Sequence, residues 1–535
     1  MRLRPLLLFS LAGVALVAGQ SAAAADTTPQ AVDATHNVMS APSPEGSAQF
    51  GTGPAPKPGV PFCTTQTSSA ANVNTDCAQS TVGPHNETSI AVNPTDPMNM
   101  IGGLNDYQLT LNADGKVGET IQSQAHVTFD GGKTWSDFPV FATSEYQATG
   151  DPALAFDASG RAYYATLGFR FVGPANVQNA DVVVHTSGDK GRTWSQAVVQ
   201  HGSGNFGSEG NSLDKEFITA WGNGNAIVTW TNFLQDQKGA IESVTTHSSV
   251  SHDGGQTWSA QNTISDGFNA SDFTTPKMTK DGRLFTTFIN TPAGSKDGRD
   301  DFDIVELSPA TGAEIGNPVN IARVFDGNTD YPIAFGRQTY QDSVFRNGDQ
   351  FSLAVDPTNG AHMAGVWADM RNSTLPAPSD PYKAKTNSDV IVSQSFDAGK
   401  TWSPPTALAI ANDQFQPWGA YDTKGLLRIG FFDRQYDPAN HKYGYSLATE
   451  NSAGSLTFTT KQLTTALSDP TQGDRWFRRI VNTNFKFATA FMGDYSGIAA
   501  TPGGGVVALW CDMREPASFG GLTLSGQDAF FAASA

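Results

Sequence analysis

Groups able to do acid–base or anion chemistry gather at recurring points of this 535-residue chain. Glu87 stands in HNETS, Asp151 in GDPAL, and Asp494 in GDYSG with Tyr495 beside it. Asp214, Lys215 and Glu216 share LDKEF, and Asp272 lies in SDFTT. Three further stretches couple an aspartate to an arginine: WADMR (Asp369, Arg371), FFDR (Asp433, Arg434) and WCDMR (Asp512, Arg514). Glu87 and Asp151 are the candidates for proton transfer. Guanidinium groups converging from Arg371, Arg434 and Arg514 would grip a carboxylate or sulfate through paired hydrogen bonds. The competing reading is structural, with Asp and Arg at equivalent positions of successive repeats pairing between repeats and stiffening the whole.

What positions these groups is a repeat. Seven times the chain shows a strand, a tight Asp/Asn/Gly/Pro turn and a second strand, as in PALAFDASGRAYYATLGF and FSLAVDPTNGAHMAGVWAD. The first residues named above enter the first strand (A) of such a hairpin; the Asp–Arg pairs leave the second (B), as do Asp106, Arg170, Asn232 and Asn290. A second hairpin follows (C–D), and four of its turns carry one pattern: TFDGGKTW (128–135), SGDKGRTW (187–194), SHDGGQTW (251–258) and SFDAGKTW (395–402). Its Asp accepts backbone N–H groups, its Gly permits positive φ and its Trp packs against the strands. The Asp spacings of 59, 64 and 144 residues leave room for a worn copy at SPATGAEI (308–315), and TENSAGSL (449–456) reads as another. Four strands per repeat, evenly distributed, predict an all-β fold: a single β-propeller of four-stranded antiparallel blades, seven in number. The last repeat ends after strand C (QDAFFAASA), so a strand from the region 35–83 is expected to complete it and close the ring. The A–B and C–D turns then share one face, and the groups entering A and leaving B rim the other.

The repeated octapeptide resembles the Asp-box of the sialidase-like BNR-repeat propellers. The resemblance implies a structural role for the box itself, with six blades as the alternative number. It further implies a secreted glycoside hydrolase of exo-α-sialidase type acting on acidic sugars. Arg371, Arg434 and Arg514 would hold the substrate's anion with Asp369, Asp433 and Asp512 beside them, Tyr495 would be the nucleophile, and Glu87, Asp151 or Asp494 the acid or base. The tetrapeptide Phe/Tyr-Arg-Ile-Pro that opens true sialidases is absent, FRRIV (477–481) being the nearest string. Arg475, Arg478 and Arg479 in the same long segment extend the basic set. Two alternatives remain open: a uronate polysaccharide lyase on the same scaffold, and a non-catalytic propeller that binds glycan or protein.

Composition narrows the class. Charged residues are only 16% of the chain and the net charge is −18, which disfavours nucleic acid as a partner. Arg2 and Arg4 precede an apolar run (5–19) and SAAAAD, the pattern of a signal peptide cut after Ala25, so residues 1–25 are expected to be removed and the protein secreted or periplasmic. No other stretch is apolar enough to span a bilayer. Residues 26–80 read as a flexible leader and 81–535 as the propeller. Cys63 and Cys77 have the spacing of a small disulfide loop, and Cys511 reads as a buried thiol. No nucleotide motif, His-rich metal motif or Gly-x-Ser-x-Gly elbow occurs, so no cofactor is expected; calcium is compatible with the many carboxylates, without an assignable site. A monomer is expected.

Overall fold

A computed structural model describes residues 59–534, except 62, 78–83, 112–116, 141–145, 147, 173–176, 204–208, 239, 265–270, 291–298, 328–329, 335–336, 344, 348–350, 374–382, 471–490 and 520–521. Residues 1–25, expected to be a signal peptide, and most of residues 26–80 thus lie outside the described residues, as do Arg475, Arg478 and Arg479. The described residues form seven antiparallel four-stranded blades around a central channel, a seven-bladed β-propeller.

Strands A of blades 1 to 7 are His85–Val92, Ala148–Phe156, Gly210–Trp221, Ser271–Met278, Ser352–Val355, Gln414–Tyr421 and Gly497–Ala500. Strands B are sandwiched between neighbouring blades and so bury both faces; Leu284–Asn290, Leu427–Asp433 and Val506–Asp512 are buried at every position. That explains why they read as near-continuous apolar runs rather than as alternating ones. The worn octapeptides at 308–315 and 449–456 occupy the C–D turns of blades 4 and 6.

Blade 7 is completed from the other end of the chain. Its A, B and C strands are Gly497–Ala500, Val506–Asp512 and Asp528–Ser534, and Val73–Asn74 supplies the fourth. Ten residues earlier, Cys63–Thr64 adds a fifth strand to blade 1 by pairing with Ser136–Asp137. The strap between them is closed by a Cys63–Cys77 disulfide, while Cys511 is a buried free thiol. The blades meet closely at this seam. A Cβ on Gly497 would lie 2.9 Å from the backbone nitrogen of Ile90 and 3.0 Å from Ser89 Cα, so only glycine allows blade 7 to approach blade 1 this far. No helix among the described residues is long and apolar enough to cross a membrane.

Candidate active site

Strand A carries the same irregularity in five blades. Its pairing with strand B slips between Asn86 and Ser89, Gly150 and Ala153, Asp214 and Phe217, Asp272 and Thr275, and Phe415 and Trp418. Inside each slip one non-glycine residue is left-handed: Glu87 (φ 53°), Asp151 (58°), Lys215 (52°), Phe273 (52°) and Gln416 (47°). Such a conformation costs a side-chain-bearing residue on the order of 1 kcal/mol. A bulge redirects a side chain that regular pleating would send elsewhere. Here it sends five of them inward from the blades, at the end of strand A opposite the A–B turns.

Their ends meet. Lys215 Nζ lies 2.9 Å from Asp151 Oδ2, 2.9 Å from Asp494 Oδ2 and 3.5 Å from Glu87 Oε1, joining blades 1, 2, 3 and 7 through one ammonium. Arg346, from the segment before blade 5, grips Asp494 with two hydrogen bonds, Nε to Oδ1 at 2.6 Å and Nη2 to Oδ2. Asn105, in strand B of blade 1, donates to Glu87 Oε2 (2.7 Å) and accepts the Asp151 N–H (2.9 Å). Gln416 donates to the Gly493 carbonyl at 2.6 Å. Gly493 itself is left-handed (φ 89°) and a Cβ there would lie 2.6 Å from the Glu87 nitrogen. Phe273 and Tyr495 present their rings 5.9 and 6.0 Å from Lys215 Nζ, and the Tyr495 hydroxyl donates to Pro152 O at 3.4 Å. All of these charged groups are buried, Asp151 being the most open at 4%. Beyond this charged layer, strands A enclose a cavity of about 310 Å³ lined by Ile90, Leu154, Ile218, Lys277, Trp418 and Ile498.

Burial and crowding set the protonation states. Burial, reinforced by Asp151 and Asp494 against Lys215, pushes the Glu87 carboxyl well above its ordinary range, and Glu87 shares a hydrogen bond with Asp151. Burial likewise raises Asp214 and Glu216. Asp494 moves the other way: burial opposes ionisation, but Arg346 and Lys215 outweigh it and hold the carboxylate charged. Burial also works against the Lys215 ammonium, yet Asp151, Asp494 and Glu87 together keep it protonated. The Tyr495 phenol is pushed up by burial and then by Glu87 and Asp151, so it is neutral. The centre therefore holds a neutral carboxyl, an ionised carboxylate and an ammonium in contact, the separation of acid and base forms on which proton-transfer sites rest.

Residues 171–417 match the BNR repeat-like domain. No curated protein matches the sequence. Among solved structures, the chain is similar to an alpha-L-arabinanase of Penicillium chrysogenum complexed with arabinobiose, with 10% identity over 87% of this chain and 98% of that one and a TM-score of 0.44. It is similar also to the Hadza microbial sialidase Hz136 (12% identity, 88% and 95% covered, TM-score 0.40) and to a PL25 ulvan lyase bound to a GlcA-Rha3S unit (11%, 70% and 80%, TM-score 0.40). At such distances no residue role passes from them to this chain.

The matched residues 171–417 contain Lys215, Arg346 and Asp369–Arg371, and the last of these belongs to a different construction. Arg371 turns back onto Asp369, Nε to Oδ1 at 2.9 Å and Nη2 to Oδ2 at 2.6 Å, and Trp367 Nε1 donates to the same carboxylate at 2.8 Å. Blade 7 repeats the clamp: Arg514 on Asp512 at 2.9 and 2.6 Å, with Trp510 Nε1 at 2.9 Å. Arg434 is fully buried and pairs with Asp413 (3.2 Å), Ser343 Oγ (2.7 Å) and the carbonyls of Gln341 and Asn440. Asp433 accepts from Ser446 at 2.7 Å and from Gln435. The three arginines thus do not converge on one point; each finds its carboxylate within its own blade, and Arg371 and Arg514 also reach the neighbouring blade through Arg323 O (3.1 Å) and Thr465 Oγ1 (2.8 Å). The i, i+2 spacing is the reason for the clamp. Trp, Asp and Arg two residues apart project to the same side as the strand ends, so the nearest partner is the local one.

Of the residues singled out from the sequence, the structure brings Glu87, Asp151, Asp494 and Tyr495 together. Lys215, at the hub, reads in sequence only as a neighbour of Asp214 and Glu216, and Arg346, Asn105 and Gln416 carry no sequence signal at all. Superposing the seven strand-A segments on their turns would have placed Glu87, Asp151 and Lys215 at one offset.

Proposed function

We propose that this protein is a glycan-active enzyme, a glycoside hydrolase whose proton donor is Glu87. The observation that carries the reading is the raised, neutral Glu87 carboxyl hydrogen-bonded beside Asp151 at the hub of four blades. Glu87 would protonate the glycosidic oxygen and Asp151, the most open carboxylate, would act on the anomeric carbon or its attacking water. Lys215 and Arg346 would hold Asp494 charged and keep the hub in register. Tyr495, as a neutral phenol, serves as floor and hydrogen-bond donor in this scheme. Because Lys215 and Arg346 are already matched by carboxylates, the scheme favours a neutral sugar at the reacting position. The acidic-sugar alternative calls on Arg475, Arg478 or Arg479, outside the described residues. Export is part of the proposal, supported by the Cys63–Cys77 disulfide, which suits an oxidising compartment.

A second reading, the non-catalytic binding propeller, is favoured by one observation: Glu87 and Asp494 are fully buried. The test is a screen of the purified protein against neutral polysaccharides, sialosides and uronate polymers, reading reducing ends and the absorbance of unsaturated products. New reducing ends without absorbance, lost in Glu87→Gln while its melting curve stays intact, are expected. Absorbance would make it a lyase, and silence with retained glycan binding would leave the second reading standing.

A further inference from the structure

At the seam, on the flank of blade 1, six titratable side chains from six chain segments meet away from the central hub. They are Asp76 of the strap, His85 of strand A, Asp106 within strand B (Met100–Leu111), His126 in Val117–Thr128, Asp137 in Ser136–Pro139 and Asp528 at the start of the last strand. His85 is engaged as an ion-pairing group: Nε2 lies 3.1 Å from Asp106 Oδ1 and 3.6 Å from Asp76 Oδ2, and Nδ1 is 3.2 Å from Gln527 O and 3.9 Å from Asp528 Oδ1.

His126 is different. Thr75 Oγ1 lies 3.0 Å from Ala529 O and 2.8 Å from His126 Nδ1; with its proton on Ala529 O, it accepts from the imidazole Nδ1–H. In that tautomer Nε2 carries a lone pair. That lone pair faces Asp137 Oδ1 at 3.3 Å. Neither atom has a hydrogen-bond partner, and the two residues are 0% and 2% exposed. Two buried acceptors aimed at each other repel unless a proton or a metal ion lies between them. Asp76 completes the group, one of its carboxylate oxygens lying within 4.8 Å of a ring nitrogen of His126 and of a carboxylate oxygen of Asp137.

We propose that Asp76, His126 and Asp137 bind a divalent transition-metal ion of the zinc class. One imidazole nitrogen and two carboxylate oxygens are a donor set for such an ion rather than for calcium, which takes oxygen ligands. The 3.3 Å separation of His126 Nε2 and Asp137 Oδ1 is the edge expected of a tetrahedron with metal–ligand bonds of about 2.0–2.1 Å. Thr75 is the outer partner that orients the imidazole, as metal-bound histidines require. Cys63 and Cys77 lie near Asp137 but are spent on each other. The ion's work follows from its ligands: Asp76 sits on the strap that completes blade 7, His126 and Asp137 on blade 1. Binding would rivet first blade to last where the strap contributes only two-residue strands.

The test uses the full mature chain. Chelator-treated protein is titrated with zinc by calorimetry, its bound metal is counted by mass spectrometry, and melting is recorded with and without zinc. One zinc per chain and a melting temperature several degrees higher with zinc are expected. His126→Gln should lose both the bound zinc and the zinc-dependent shift; Asp76→Asn, on the more exposed strap, is the second variant should His126→Gln fold poorly. Cobalt loading should show the visible absorption of a tetrahedral site, absent in the variant. Failure of the chelated chain to take up zinc, unchanged uptake in both variants, or a response to calcium in place of zinc would overturn the proposal. None of these outcomes depends on glycan turnover.

Discussion

The two rims of this ring use repetition in opposite ways. On the box rim, backbone and side chains recur together. Asp130, Asp189, Asp253 and Asp397 each accept the N–H of the Thr four residues on at 2.9–3.0 Å and its hydroxyl at 2.6–2.7 Å. The hydroxyl two residues before each Asp donates to it and caps the Gly N–H. Each turn satisfies the carboxylate and backbone groups named above from within itself, and in three of the four the Trp indole N–H donates to the box Gly carbonyl at 3.1–3.2 Å. On the opposite rim only the backbone recurs. The same left-handed bulge holds Glu, Asp, Lys, Phe and Gln in blades 1, 2, 3, 4 and 6, and these unlike side chains need one another across the ring. Recurrence of both levels marks scaffold; recurrence of the backbone with divergent side chains marks a place where the ring assembles one asymmetric site. The Trp-Asp-Arg clamps of blades 5 and 7 lie on the bulge rim yet follow the first rule.

This contrast can be broken by mutation. The largest effect is expected at the hub: Lys215→Met removes the cation shared by three buried carboxylates and should cost about 3–5 kcal/mol in denaturant unfolding, as for a broken buried ion pair. A loss under 1 kcal/mol would mean the carboxylates simply take up protons and the hub is not a unit. A smaller effect is expected on the box rim. The Thr257 hydroxyl and N–H hold Asp253 down at about 2 from an ordinary 3.8. A depressed carboxyl contributes its stability fully above the unfolded value and loses it as pH falls through the folded one. Asp253→Asn should therefore lower the melting temperature slightly at neutral pH, by a few tenths of a kcal/mol at this solvent-screened site, and the difference from wild type should vanish as the pH is taken from 4 towards 2. A difference that persists at pH 2 would show that the carboxylate charge is not what closes the turn. The smallest effect is expected for Gln416→Gly. It loses the hydrogen bond to Gly493 O but relieves a left-handed side chain, two terms of about 1 kcal/mol each that oppose. Clear stabilisation would mean that the bulge is strained for the sake of the side chain it carries.

Much of the architecture was legible in the chain because it is written locally. The octapeptide closes on itself, each A–B turn lies between its own two strands, and so blade type and number can be read without knowing any distant contact. Closure by an N-terminal strand followed from counting strands in the last repeat. The pairing of Cys63 with Cys77 was suggested by their spacing. Glu87, Asp151, Asp494 and Tyr495 were singled out because they enter strands A. Arg371, Arg434 and Arg514 were singled out for the other end of the hairpin, and there the chain alone could not distinguish a guanidinium aimed inward from one folded onto an aspartate two residues away.

The amino-acid sequence by itself determined a ring of like blades, its two rims and the turn chemistry of one of them, since all of these depend on residues within reach along the chain. Only the tertiary structure decided that Lys215 is the hub, that Arg346 belongs to Asp494 across 148 positions, and that His126 and Asp137 face each other unmatched at the seam. Those relations join different blades or separate strands, and their energies come from burial and from charge brought together by closure of the ring.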